Sequence, residues 1–168
     1  MFKRCTEPAR RSIFFALART RFCDRPEITP VDLLAGLIWE ENSRAQTLFN
    51  LRDYFPLYQG CPWKCTPDLK ALGGPPLDRD SKLSLGWTTL EADHLGDYWI
   101  DTEHLLLGIA RTWDCEAAQY LAMIGLTPDI IRQAVQDNKL SRPAFGPVPL
   151  WWRIKSRVGR LSLLGQTP

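Results

Sequence analysis

The sequence predicts an all-α fold: two pseudosymmetric four-helix repeats packed as one domain, about eight helices, followed by an amphipathic C-terminal tail. Three observations predict it. The stretch TPVDLLAGLI at 29–38 returns 72 positions later as DTEHLLLGIA at 101–110. The same offset brings Thr6 onto Asp78, Gly36 onto Gly108 and AQTLF (45–49) onto AAQYL (117–121). No apolar–polar alternation bounded by tight-turn residues is sustained, so strands are not expected. A four-helix unit this small buries its apolar face poorly alone, and a second copy supplies the layer it lacks.

The elements follow in order. Thr6 and Asp78 are good N-caps, opening helices that run to about residues 20 and 94. Thr29-Pro30-Val31-Asp32 then places an N-cap hydroxyl, a proline at the first helical position and an acid in the first turn. Asp101-Thr102-Glu103 does the same in the second half. Behind these starts, Leu33, Leu34, Leu37 and Ile38, and then Leu105, Leu106, Leu107 and Ile109, make an apolar flank. A glycine within a helix costs about 1 kcal/mol relative to alanine, so Gly36 and Gly108 are expected to admit a neighbouring helix closely. Short helices follow at 45–49 and 117–121, with Leu51 and Met123 in register beyond them. There the register breaks. Thr127-Pro128-Asp129-Ile130 opens a helix whose counterpart, Thr66-Pro67-Asp68-Leu69, stands 61 positions away, so the first half carries about eleven extra residues near 52–65. GGPP at 73–76 cuts its fourth helix short. The expected organisation is repeat 1 at about 1–74 and repeat 2 at about 76–138, a double-repeat domain over 1–138. A Pro-containing linker and a basic, aromatic tail fill 139–168.

At 168 residues, 45% apolar and 24% charged, the chain is long enough to bury a core and has the composition of a globular protein. Its net charge of +2 conceals an asymmetry. All 19 acids lie at or before Asp137, giving that part about −4, while six Lys and Arg and no acid follow it. A negative body opposes nucleic-acid binding. The apolar run from Ile13 to Ala18 is shorter than the ~7–15 residues of a secretory signal, and no window reaches the ~18 of a spanning helix. A cytoplasmic protein is expected.

Five cysteines, at 5, 23, 61, 65 and 115, lack framework spacing and favour reduced thiols. Cys61-Pro-Trp-Lys-Cys65 could hold zinc or form a redox pair, but no second CxxC or nearby histidine completes the set. Free loop cysteines are the better reading, with a thiol or zinc enzyme as the lesser alternative. His104 opens an apolar helix with no Ser or Cys motif beside it, and reads as a packed histidine hydrogen-bonding across the repeat rather than a base. No catalytic residue, metal or cofactor is expected. The tail, PVPLWWRIKSRVGRLSLLGQTP, places Trp151, Ile154, Val158 and Leu161 on one helical side and Arg153, Arg157 and Arg160 on another. It suits an anionic membrane surface, a partner groove or the protein's own acidic body, with Trp151, Trp152, Arg153 and Arg157 as contact candidates.

The opening MF-x-R-x-T-x-x-A-R (Met1, Phe2, Arg4, Thr6, Ala9, Arg10) and the TEHLLLG of Thr102–Gly108 resemble the N-terminal domain of Clp-type AAA+ unfoldases. Ala117, Ala118, Leu121 and Gly125, then Ile131-Arg132-Gln133-x-Val135, extend the resemblance over residues 1–138. It implies two pseudosymmetric four-helix repeats that recruit substrates and adaptors to an ATPase ring. No glycine is followed by lysine, so no P-loop is present. The chain resembles a free-standing N domain without its motor, expected to act as a non-enzymatic accessory or decoy subunit. The implied partners are Clp unfoldase, protease or adaptor proteins, with substrate peptides possible. The alternative is a membrane-associated scaffold anchored by the tail.

In one branch of that family the glutamate of each TEH motif holds the guanidinium of a phosphorylated arginine. Carried over residue by residue, Glu103 keeps the glutamate, whereas Val31 at the matching place cannot pair with guanidinium. Thr6 keeps a helix-start threonine, whereas Asp78 would repel a phosphate. Two full sites are excluded. The resemblance therefore implies Glu103, Thr102, Thr6 and Asp78 as binding candidates.

Overall fold

The computed structural model describes residues 2–54, 74–138, 148, 149 and 152. After a 3-10 turn at Phe2–Arg4, the first half contains α1 (Glu7–Phe22), α2 (Pro30–Trp39), α3 (Arg44–Phe49) and α4 (Leu51–Tyr54). The second half contains α5 (Arg79–His94), α6 (Thr102–Arg111), α7 (Glu116–Met123) and α8 (Pro128–Asp137). Among the described residues the fold is all-helical.

The caps fall where the local chemistry puts them. Thr6, Asp78 and Thr127 accept from the backbone N–H of Ala9, Ser81 and Ile130, three residues on. Proline stands in the first turn of α1, α2 and α8, where its missing N–H leaves nothing unpaired. Both long helices end through the same reversal. The Arg25 N–H donates to the Thr20 carbonyl and, 72 residues on, the Asp97 N–H donates to the Ala92 carbonyl. The left-handed residue is Gly96 in the second half (φ 72°) and Asp24 in the first (φ 50°), aspartate being one of the few side chains that tolerate this region.

The two halves are tied by backbone that the sequence reading missed. Residue 5 bridges residue 100, and residue 77 bridges residue 28, each in parallel. The Thr6 N–H donates to the Ile100 carbonyl (2.8 Å) and the Ile100 N–H to the Arg4 carbonyl (2.8 Å); Asp78, Ile28 and Pro76 repeat the pattern at 3.0 and 2.8 Å. Each half thus threads its lead-in segment onto the other half. Where the halves face each other, Ser12, Ile13 and Leu33 meet their mates Ser84, Leu85 and Leu105, leaving no room for water.

Within each half the long helix packs on the apolar one at a glycine. A Cβ on Gly36 would fall inside the envelope of the Ser12 carbonyl oxygen and 3.0 Å from its carbon; a Cβ on Gly108 would lie 2.7 Å from the Thr88 nitrogen. α2 and α6 form the centre of the core, with Leu34, Leu37, Ile38, Leu106, Leu107 and Ile109 almost fully buried. The first residues of the expected insertion, 52–54, are not loop but belong to α4 (Leu51–Tyr54), whose Leu51 is buried against the core. The helix expected from Thr66, the CPWKC loop (61–65), and most of the tail, including Trp151, Arg153 and Arg157, lie outside the described residues.

Candidate functional site

The residues singled out by the TEH motif converge on the start of α6. Asp101 caps that helix and also accepts the Thr6 hydroxyl hydrogen at 2.7 Å, joining the first turn of α1 to the first turn of α6. Thr102 accepts from the Ala45 N–H (3.0 Å), thereby capping α3 from the opposite half. Glu103 is buried with Arg44 against it, Nε to carboxylate 3.1 Å; their side chains are 1% and 10% exposed. Arg44 also donates to the Asn138 carbonyl (2.6 Å). So three of the four candidate residues, Thr6, Thr102 and Glu103, already serve contacts between the halves, and the carboxylate of Glu103 already holds a guanidinium from its own chain. Asp78 stands apart, at the start of α5.

His104 is the N3 residue of the α6 capping box. Its Nδ1 accepts from the Asp101 N–H (3.0 Å), which leaves Nε2 to face the Asp97 carboxylate at 3.2 Å. Its partners lie in its own half rather than across the repeat. Asp32 does the same capping work at the mate position of α2, accepting from the Thr29 N–H (3.0 Å).

The 72-residue mate of the Arg44–Glu103 pair is a different place. Glu116 stands for Arg44 and Val31 for Glu103, so no ion pair can close. A groove of about 430 Å³ opens there instead. It is lined by Thr29, Pro30 and Val31 of the α2 start, Asp78 and Asp80 of the α5 start, and Asp114, Cys115 and Glu116 of the α7 start. Arg19 and Arg25 also border it, but both guanidinium groups are engaged by the buried Asp32, Arg25 at 3.3 Å. Four acidic residues therefore line the groove, and the two guanidinium groups that border it are shared with Asp32, so acid is in excess there, which suits a cationic guest. Sequence reasoning found Asp78 alone. The others looked like ordinary acids at helix starts, where the helix dipole favours them.

Two further buried carboxylates are paired inside the protein. Glu40 takes Arg11 with both oxygens (2.7 and 2.8 Å). Glu91 takes Arg132 likewise (3.1 Å each) and Arg111 in addition, and Arg111 lies over the Trp87 ring at 4.0 Å. Burial alone would raise the Glu91 carboxyl, but its hydrogen bonds and charges from Arg132 and Arg111 hold it below the ordinary range. Cys5 and Cys115 are buried and Cys23 exposed; burial pushes the first two thiols up. Among the described residues no three His, Cys, Asp or Glu gather to hold a metal, and no helix is long and apolar enough to cross a membrane. Of the tail candidates, Trp152 is described, and it is buried at 4% exposure against the body.

The fold and this site define a class: a duplicated all-α domain whose helix starts meet in two mate places, one shut by an internal arginine and one open. No family model matches the chain. It is 26% identical over 149 residues to the chaperone protein ClpB of Mycobacterium bovis, covering 86% of this chain, and 26% over 134 residues to that of Mycobacterium leprae, covering 71%. The chain spans 14% to 18% of the length of these relatives. Among solved structures it resembles the N-terminal domain of the caseinolytic protease-associated chaperone ClpD from Arabidopsis thaliana, with a TM-score of 0.57 at 19% identity over 84% of this chain and 97% of that one. A chain from structural work on a malarial protein secretion system gives 0.60 at 18% identity, over 81% and 94%. By sequence the chain is similar to a part of the ClpB chaperones, and its all-α fold is that of the ClpD N-terminal domain.

Proposed function

We propose that the chain is a non-catalytic protein-binding module of the cytoplasmic Clp chaperone and protease system, and that the groove at the start of α2 receives a cationic stretch of an adaptor or substrate. Residues 1–138 form the module in this reading, and 139–168 an appendage to it. The observation that carries it is the contrast between the mates. At α6 the chain itself exhibits the chemistry, with the Arg44 guanidinium on a helix-start carboxylate. At α2 the equivalent place is open, and Asp78, Asp80, Asp114 and Glu116 line it. A guanidinium or ammonium is attracted there, whereas a phosphate would meet like charge. Engagement of a guest by Glu103 would first require Arg44 to leave.

The test is fluorescence anisotropy with a labelled peptide rich in Arg and Lys and a matched peptide rich in Glu, against the chain and an Asp80→Asn/Glu116→Gln variant. The reading expects the basic peptide to bind, to weaken about tenfold in the variant (~1.4 kcal/mol), and to weaken further as salt rises. Equal binding of both peptides, or indifference to the variant, would remove it.

A further inference from the structure

The contact that the groove leaves unexplained lies elsewhere on the molecule, at Trp152. Its indole is buried, yet it belongs to a segment beyond the last helix of the repeats. The Trp152 N–H donates to the Pro149 carbonyl (3.0 Å). The receiving surface is held by hydrogen bonds in which the indole takes no part. Arg4 donates from Nε to the Tyr98 carbonyl (2.8 Å) and from Nη2 to the Asp93 carboxylate (2.7 Å) and the Asp97 carbonyl (3.2 Å). Three acceptors from the end of α5 and the segment after it thus fix the guanidinium plane. That plane stacks on the Trp152 ring at 4.6 Å and lies 5.4 Å from the Tyr98 ring, while Tyr98 meets Trp152 edge-on at 5.6 Å. Tyr98 is itself braced edge-on by Trp99 at 5.0 Å.

A guanidinium held flat by hydrogen bonds and flanked by a tyrosine is a selective surface for an indole, the aromatic ring that attracts a cation best. It exists once. The 72-residue mates of Arg4, Tyr98 and Asp93 are Pro76, Pro26 and Arg21, which can neither stack nor pair in this way. We infer that Arg4, Asp93 and Tyr98 form a binding site for a tryptophan side chain, and that Trp152 of the chain's own C-terminal segment is its resident ligand. A tethered ligand acts at an effective concentration of about millimolar. The site is therefore shut to a free ligand of the same kind while Trp152 is seated. This inference is independent of the groove at α2, and either can fail without the other.

The experiment uses the full chain and a labelled peptide of residues 147–153, with a control peptide carrying alanine at position 152. The Trp152→Ala chain, checked by its melting curve, should bind the peptide at least tenfold more tightly than the unmodified chain does. It should not bind the control, and Tyr98→Leu added to it should abolish the gain. Equal binding to the unmodified and Trp152→Ala chains, or no binding to either, overturns the inference. A second readout avoids emptying the site by truncating its ligand. Tyr98→Leu alone keeps the carbonyl that holds Arg4, and should speed tryptic cleavage after Arg153 at least threefold. An unchanged rate contradicts a seat at Tyr98.

Discussion

Replacing Gly36 by alanine adds one methyl at the point where α2 crosses α1. That methyl meets backbone: the Ser12 carbonyl oxygen inside van der Waals contact, with the Ser12 carbon and the Ala16 nitrogen each 3.0 Å away. None of these can rotate aside, so the two helices must separate. Overpacking of this kind costs about 1–3 kcal/mol, and the upper part of that range applies where backbone has to move. Alanine returns about 1 kcal/mol of helix propensity. The net expectation is a loss of ~2 kcal/mol, or about 4–8 °C in melting temperature for a chain of this size. Gly108→Ala should behave alike, since the Thr88 nitrogen lies 2.7 Å from its added carbon. Gly86, on α5, has nothing within 4 Å of an added Cβ. There alanine should stabilise by about 0.5–1 kcal/mol through propensity alone. Thermal and urea unfolding of the three variants decides it. Gly36→Ala melting at or above the unmodified chain would refute the close crossing, and Gly86→Ala falling with it would show that the changes report something other than helix contact.

Other consequences follow from the buried charges and thiols. Arg44→Ala removes the buried cation 3.1 Å from Glu103 and should cost about 3 kcal/mol in urea unfolding, with more than half recovered by adding Glu103→Gln; no recovery would mean the pair is not the source. Glu91 has a folded pKa below its ordinary 4.5. Its contribution is therefore complete above that value and is lost as pH falls from it through the folded pKa. Urea titrations between about pH 3 and 7 should show a shallower acid loss in Glu91→Gln, and parallel curves would count against it. Iodoacetamide labelling read by peptide mass should modify Cys23 about tenfold faster than Cys5 or Cys115, whose thiols are raised by burial; equal rates would contradict their burial.

The parts of the fold that were legible in the sequence are those written locally. An N-cap, a proline in the first turn and a glycine at a crossing each act within a few residues, so the 72-residue offset showed the starts of α1, α2, α5 and α6, and the Thr127-Pro128 pair showed that of α8. The lead-in bridges were not legible. A single residue pairing at Cys5–Ile100 or Ile28–Leu77 leaves no alternation to read. Nor was α4, whose one turn carries no periodic signal and whose counterpart the register break removes. At the candidate site, Glu103 was correctly noticed as an acid at a helix start, but its partner is 59 residues distant and belongs to the other half. Arg44 could have been found by the same offset that found the repeat: 103 and 44 have the mates 31 and 116, and the charges at both positions differ between halves. The groove needed the fold itself, since Asp78, Asp80, Asp114 and Glu116 come together only when the starts of α5 and α7 are packed beside α2.

The measurement that tests the central claim most directly is a titration of the isotope-labelled full chain with the basic peptide, followed by amide chemical shifts. The account predicts that the amides of 29–32, 78–81 and 114–117 move together and saturate, while those of 44–46 and 102–104 stay in place because Arg44 keeps the α6 site closed. Shifts centred on 102–104 and 44–46, or none at 29–32, would contradict it.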